Sequence, residues 1–358
     1  MQKYIWIALF LFSCQFSYGQ YMVKDIPEAL KKDADVVYFV NDLKFEIINA
    51  EKATKKVHRV LAIMNPKARN EAVFGVFYDE LTKIKTVEAK VYDQHGKLIN
   101  KLGKKDYSDR SYSDGLFTDD RVLVADLMQL RYPYIVEIAY ELELSYTYSI
   151  PNFYAYPRYN TSVMESVYEL TAPEEFQPNF KLTNTDLKLM KRTDENTGAL
   201  INSLRFSNLP AKKKEAYSPG LHKHTPVLYA APSKFSYEGY EGNFNTWESL
   251  GQWQIALNKG RDVLSEETKL EMKKLTAGLE TKEEVVRSVY EYVQNKTRYI
   301  SIQLGVGGFQ PFPAMEVDET GYGDCKALSN YTAALLKSVD VDAQYTWVYA
   351  GEYPPDVD

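Results

Sequence analysis

Cysteine and histidine are scarce in this chain of 358 residues, which has two of the first and four of the second. So few cysteines exclude a disulfide framework, and a chain of this length buries enough apolar surface to fold without such staples. The imidazoles, His58, His95, His222 and His224, are scattered, and only the last two are near neighbours. Because a metal centre needs three or four ligands, His222 and His224 read as residues of a solvated loop, and neither metal nor cofactor is expected. A phosphate-binding loop is missing as well: the glycine-rich stretch 304–311 lacks the Gly-Lys-Ser/Thr ending. There is no basic excess, since 43 Lys and Arg stand against 49 Asp and Glu for a net charge of −6. That balance argues against nucleic acid or an anionic membrane as partner. Beyond residue 12 no apolar run approaches the ~20 residues of a membrane-spanning helix.

What is abundant is tyrosine, 29 residues, within an aromatic content of 14% and a hydrophobic content of 45%. Those values exclude a disordered chain and lean towards strands, whose half-buried surfaces suit tyrosine. At roughly 150 residues per domain, the length predicts about two domains.

Residues 1–19 read as a secretory signal peptide, with Lys3 ahead of an apolar core from Tyr4 to Phe12 and Ser17-Tyr18-Gly19 at the cleavage offsets. Leu11-Phe12-Ser13-Cys14 also resembles a bacterial lipobox, so lipid attachment at Cys14 is the rival to cleavage after Gly19. Either reading makes the protein exported, periplasmic or cell-surface, without a transmembrane segment.

From residue 20 to about 225 the dominant period is two. Along 136–146 every even position is apolar or aromatic, while Glu137, Glu141 and Glu143 take the other side, as in a strand with one wet face. Val87, Ala89 and Val91 alternate with polar neighbours, and Asp93-Gln94-His95-Gly96 then turns the chain into Leu98-Ile99, a hairpin signal. Further strands are expected at 44–48, 57–64, 73–78 and 166–171, which together predict an all-β antiparallel sandwich. The pairs Tyr132/Tyr134, Tyr146/Tyr148 and Tyr154/Tyr156 fit either a sugar platform or ordinary cross-strand packing. Residues 226–262 read as a linker and docking segment. Past it the period becomes helical: Ser265 caps a helix towards Gly278, and Thr281 with Glu284 opens another, its apolar face formed by Val285, Val286, Val289, Tyr290 and Val293.

Cys325 is the cysteine that concentrates interest. Gly321-Tyr322-Gly323-Asp324-Cys325-Lys326 leads into a stretch whose Leu328, Tyr331, Leu335 and Leu336 share a helical face, with Asp324 as N-cap. A thiol at the first position of a helix lies among backbone N–H groups that favour a thiolate and can hold the oxyanion of an acyl intermediate. An inert cysteine packed under a glycine turn fits the same residues. Catalysis also needs a base, and no histidine follows Cys325.

Residues from about 247 to 352 resemble the transglutaminase-like superfamily of cysteine acyl-transfer enzymes and proteases. The likeness is carried by Thr297-Arg298-Tyr299-Ile300-Ser301-Ile302, by Gly307-Gly308-Phe309-Gln310-Pro311, and above all by Tyr322-Gly323-Asp324-Cys325-Lys326 with its helix. Residues from about 42 to 217 look like the β-rich domain of unknown function that precedes such a module in bacterial envelope proteins. The resemblance implies a multi-domain chain: a β-sandwich over 20–225, then an α+β, papain-like domain over 263–358 that is truncated at its C-terminal end. It implies Cys325 as nucleophile of a Cys-His-Asp triad, with Gln310 as a candidate oxyanion donor and Gln303 an equal alternative. The family's His and Asp would follow a strand at 344–350, but only 33 residues follow Cys325, so neither is present in this chain. The expected function is that of an exported cysteine peptidase or acyl transferase acting on peptide or protein amides, inactive as these 358 residues. The alternative is a non-enzymatic envelope scaffold with a degenerate transglutaminase-like domain. Neither the substrate's identity nor an oligomeric state is legible.

Overall fold

The computed structural model describes residues 21–112 and 117–349. The expected signal peptide, with Cys14, lies outside them.

Eight strands build the main sheet: Val36–Asn49 (β1), Lys52–Ile63 (β2), Thr82–Asp93 (β3), Leu98–Lys101 (β4), Tyr134–Leu144 (β5), Thr161–Ala172 (β6), Met190–Thr193 (β7) and Leu200–Leu209 (β8). Their order is β7-β8-β6-β1-β2-β5-β3-β4. β3 and β4 form the expected hairpin, with Gly96 at φ 80° in the turn. The β-rich domain is not wholly antiparallel, because β1 and β6 run parallel from Val36↔Thr161 to Glu46↔Thr171. More than a hundred residues of chain separate those two strands, so no tight turn forces them to oppose one another.

Alternation decides which side of the sheet is covered. On β5, Tyr134, Val136, Ile138, Leu142 and Leu144 are all buried. They face two three-stranded sheets, one of Phe153–Tyr154, Val227–Ala231 and Asn179–Thr183, the other of Val73–Tyr78, Arg121–Asp126 and Ser108–Ser111. The opposite face is wet over much of its area and laced with cross-strand pairs: Lys56 with Glu141 at 3.4 Å, Lys52 with Glu143 at 3.2 Å and Lys90 with Glu137 at 3.5 Å. One end of that face is capped by the short helix Glu28–Lys31 (α1) and its flanks, where Val23, Ile26 and Leu30 pack on Val37, Phe39, Val60 and Ile135.

Residues 226–262 are more than a linker. Val227–Ala231 is the central strand of one of the three-stranded sheets, and Trp247–Asn258 forms a helix (α2). Between them an aromatic cluster joins the two halves of the chain. The ring of Tyr148 lies 5.0 Å from Phe235, 5.2 Å from Phe244, 5.3 Å from Trp253 and 4.8 Å from Phe309, centroid to centroid. Of the period-two tyrosines, Tyr148 is thus used for packing, and the ring of Tyr132 likewise lies tilted against Tyr134 at 5.3 Å, whereas Tyr154 is exposed.

The remaining helices are Glu266–Leu275 (α3), Lys282–Lys296 (α4), Ala314–Thr320 (α5) and Cys325–Lys337 (α6). Ser265 caps α3 and Thr281 with Glu284 closes a capping box on α4, as their spacing predicts. The buried stripe of α4 is narrower than expected: Val289 and Val293 are buried, but Val286 and Tyr290 are 37% and 55% exposed. Asp318 of α5 ties the helices together, accepting from Thr268 Oγ1 at 2.6 Å, from Tyr331 OH at 2.5 Å and from Lys296 Nζ.

Candidate active site

Two short strands place the nucleophile candidate. Arg298–Tyr299 pairs in parallel with Tyr322–Gly323, and the Ile300 N–H donates to the Gly323 carbonyl at 3.0 Å. The segment 298–303 thus forms two short strands rather than one. Its second part, Ile302–Gln303, pairs with Phe117–Thr118 of the β-rich half, where the Phe117 N–H reaches the Ser301 carbonyl at 3.1 Å. The chain beside Cys325 is thus pinned from both domains.

Two glycines make the turn into α6 possible. Gly321 ends α5 at φ 70°, in the left-handed region that side chains disfavour. A Cβ on Gly323 would stand 2.8 Å from the Ala327 Cβ, so only glycine lets the strand approach the first turn of α6 this closely.

Cys325 is the first residue of α6 and is exposed, with Asp324 as N-cap. The Asp324 carboxylate accepts from the backbone N–H of Lys326 at 3.1 Å and of Ala327 at 3.0 Å, and it also pairs with Lys326 Nζ. Both side chains are buried. This alters the expected oxyanion site. Two amides of the first turn are already taken, the Leu328 N–H closes on the Asp324 carbonyl at 2.9 Å, and among the described residues only the Cys325 N–H has no acceptor. The helix start offers one free amide, not several.

Gln310 does not supply another. Its Nε2 donates to Tyr240 OH at 3.1 Å and to the Leu257 carbonyl at 3.0 Å, and its Oε1 accepts from Arg261 at 2.6 Å. With both amide protons engaged, the side chain ties the glycine-rich loop to the end of α2. Gln303 is less committed: among the described residues its side chain reaches only Ser301 Oγ, at 3.4 Å. It lies on the strand that continues from the pair beside Gly323.

Residues 341–349 adopt no regular element, so the strand expected at 344–350 is not seen over its described part. No described strand lies alongside to pair with it, and an unpaired strand has nothing to satisfy its backbone. Instead residues 343–347 line a groove of about 690 Å³ against α2 and α6, with Trp247, Ile255 and Ala333 among its walls. Tyr345, in that lining, is the neighbour of Cys325 that local patterns did not single out. Burial pushes its phenol pKa up, and Cys325 and Asp324 act in the same direction.

The four histidines all lie in the β-rich half or just after it. His58 Nε2 is 3.0 Å from Glu137 Oε1 on the wet face of the sheet, and His95 sits in the hairpin turn. His224 Nε2 lies 3.4 Å from Tyr159 OH, and the ring of His222 folds back beside Gly220. Among the described residues, no hydrogen bond joins any of them to Cys325.

Comparison with known families agrees with this architecture. Residues 49–213 match the family described as a "Domain of Unknown Function with solved-structure structure" (DUF3857), and residues 272–355 match the "Transglutaminase-like superfamily". The chain thus carries a DUF3857 domain followed by a transglutaminase-like domain. Among solved structures, a "putative protease" from Parabacteroides distasonis aligns over 86% of this chain and 59% of its own length, with TM-score 0.65 and 14% identity. The present chain therefore spans about three-fifths of that protein, and the likeness is one of fold. An M1 zinc metallopeptidase mutant from Deinococcus radiodurans, bound to a Tyr-Ser-Ala substrate, aligns over 62% of this chain and 52% of its own at TM-score 0.27 and 8% identity, too weak to carry an argument. No curated protein gives a match. No helix among the described residues is long and apolar enough to cross a membrane.

Proposed function

We propose that the protein is an exported cysteine peptidase or acyl transferase whose nucleophile is Cys325 and whose substrates are peptide or protein amides. The observation that carries this reading is the exposed thiol at the first position of α6, next to the free Cys325 N–H. In the reaction, the Cys325 sulfur bonds to the amide carbonyl carbon while a base takes the thiol proton. The oxyanion rests on the Cys325 N–H and, in this proposal, on Gln303. Collapse breaks the C–N bond, the base returns its proton to the leaving amine, and the thioester passes its acyl group to water or to a second amine. Asp324 and Lys326 position the thiol by fixing the turn from which it projects.

In this reading none of the four histidines is the base, which is supported by the partners of His58, His95 and His224 and by the position of the His222 ring. The reading therefore assigns it to residues beyond these 358 and makes the 358-residue chain catalytically dead, since nucleophile and base act as a unit. The test compares the 358-residue chain with a polypeptide extended past Asp358, each with and without Cys325→Ala, on a peptide-amide substrate. Hydrolysis or transfer should appear only in the extended protein with Cys325 present. Cysteine-dependent turnover by the short form would overturn the assignment of the base. An extended protein without cysteine-dependent turnover would favour the scaffold alternative.

A further inference from the structure

Three neighbouring strands of the main sheet place polar side chains where the core should be apolar. Ser166 on β6 and Arg59 on β2 are the cross-strand partners of Asn41 on β1, and Asn41 Nδ2 donates to Ser166 Oγ at 2.9 Å. Asn41 and Ser166 are buried, and this polar seam runs between the two hydrophobic clusters that fill the sandwich. A cavity of about 340 Å³ opens on it, lined by Tyr38, Asn41, Arg59, Phe74, Asn152 and Arg158 among others.

The charges of the cavity do not balance. Glu71 is the one carboxylate in its lining, and it is committed to Arg158. Arg59 has neither ion pair nor hydrogen bond among the described residues, and its Nε is shut off from solvent without a partner. Lys55, four residues earlier on the same face of β2, lies outside this lining; burial, and then Arg59, push its ammonium pKa down. Arg59 is partly buried, and a guanidinium with its Nε closed off and no carboxylate beside it is ready to take up an anion.

We propose that this cavity is a binding site for a small carboxylate ligand, held by the Arg59 guanidinium. The planar fork of a guanidinium matches a carboxylate with two parallel N–H donors. Asn41 and Asn152 bring amide groups to the same space, and Phe74 and Phe153 with Pro157 form an apolar wall for the ligand's hydrocarbon. A volume of about 340 Å³ is at the lower end of the range for ligand pockets, which suits a molecule of dipeptide size. The acid could come as a free small molecule or as the C-terminus of a peptide.

The test uses the Cys325→Ala protein, so that turnover plays no part and the outcome is independent of the proposed catalysis. Calorimetric titration compares acetate, N-acetyl-dialanine, its C-terminal amide and inorganic phosphate. The free acid of the dipeptide should bind and its amide should bind at least about tenfold more weakly, the loss expected for one charge-assisted pair. Acetate binding as tightly as the dipeptide would identify a free small acid as the ligand form; dipeptide preference would identify a peptide terminus. Arg59→Met should abolish binding of either acid, and Arg59→Lys should retain part of it. Absence of binding by both acids at millimolar concentration, equal binding of acid and amide, or tighter binding of phosphate would overturn the proposal. Should Arg59→Met fail to fold, the acid–amide comparison on the parent protein decides.

Discussion

The turn that presents Cys325 rests on one carboxylate with three tasks, and Asp324→Ala removes all three. Asp324 caps the N–H groups of Lys326 and Ala327 and neutralises the Lys326 ammonium, whose side chain is only 10% exposed. Losing the cap costs about 1 kcal/mol. Leaving a buried lysine without its partner costs about 3–5 kcal/mol more. The sum, about 4–6 kcal/mol, is a large part of the stability of an ordinary domain. With a urea m-value of about 2 kcal/mol per molar, the midpoint should fall by about 2–3 M. Tryptophan fluorescence is a suitable assay, because the described tryptophans, Trp247, Trp253 and Trp347, all lie in the C-terminal part of the chain. The argument assigns most of the loss to the stranded charge, so adding Lys326→Met should recover most of it and leave a deficit near the cap alone. Were the double variant as unstable as Asp324→Ala, the ion pair would not be what the carboxylate is for, and the reasoning would fail.

Gly323→Ala should lower stability by about 1–3 kcal/mol through overpacking and slow iodoacetamide labelling of Cys325, since its new methyl meets Ala327 at 2.8 Å; unchanged labelling would refute the role given to this glycine. Lys296, Thr268 and Tyr331 hold the Asp318 carboxyl below its usual pKa despite burial. A depressed carboxyl stabilises the fold above the unfolded value near 4 and loses that contribution as pH falls through the folded value, so Asp318→Asn should cost most at neutral pH and least in acid by urea titration. Glu137 follows the same sign: its bonds to His58 and Tyr92 take it down to about 2, and the stability gap between the parent and Glu137→Gln should close between about pH 5 and pH 2. Tyr345→Phe should change the pH profile of Cys325 alkylation while costing no more than about 0.5 kcal/mol of stability by urea titration, as befits a partly buried phenol whose ionisation is coupled to the thiol.

What could be read from residues alone was local. The Asp93–Gly96 turn, the caps at Ser265, Thr281 and Asp324, and the alternation along β5 each depend on groups a few positions apart, so the chain specifies them before it folds. Only the tertiary structure decided the rest. The parallel pairing of β1 with β6, the strand at Val227–Ala231 and the aromatic joint around Tyr148 bring together residues far apart in the chain, which no local pattern encodes. The same holds at the candidate site. A helix-start cysteine was legible, but whether its amides were free depended on where the Asp324 carboxylate turned, and whether Gln310 was free depended on Tyr240 and Leu257. Arg59 reads as one more polar residue on an alternating strand. Its side of the sheet becomes the inside only when two further sheets close over it, and an Nε shut off from solvent without a partner is a property of that closure.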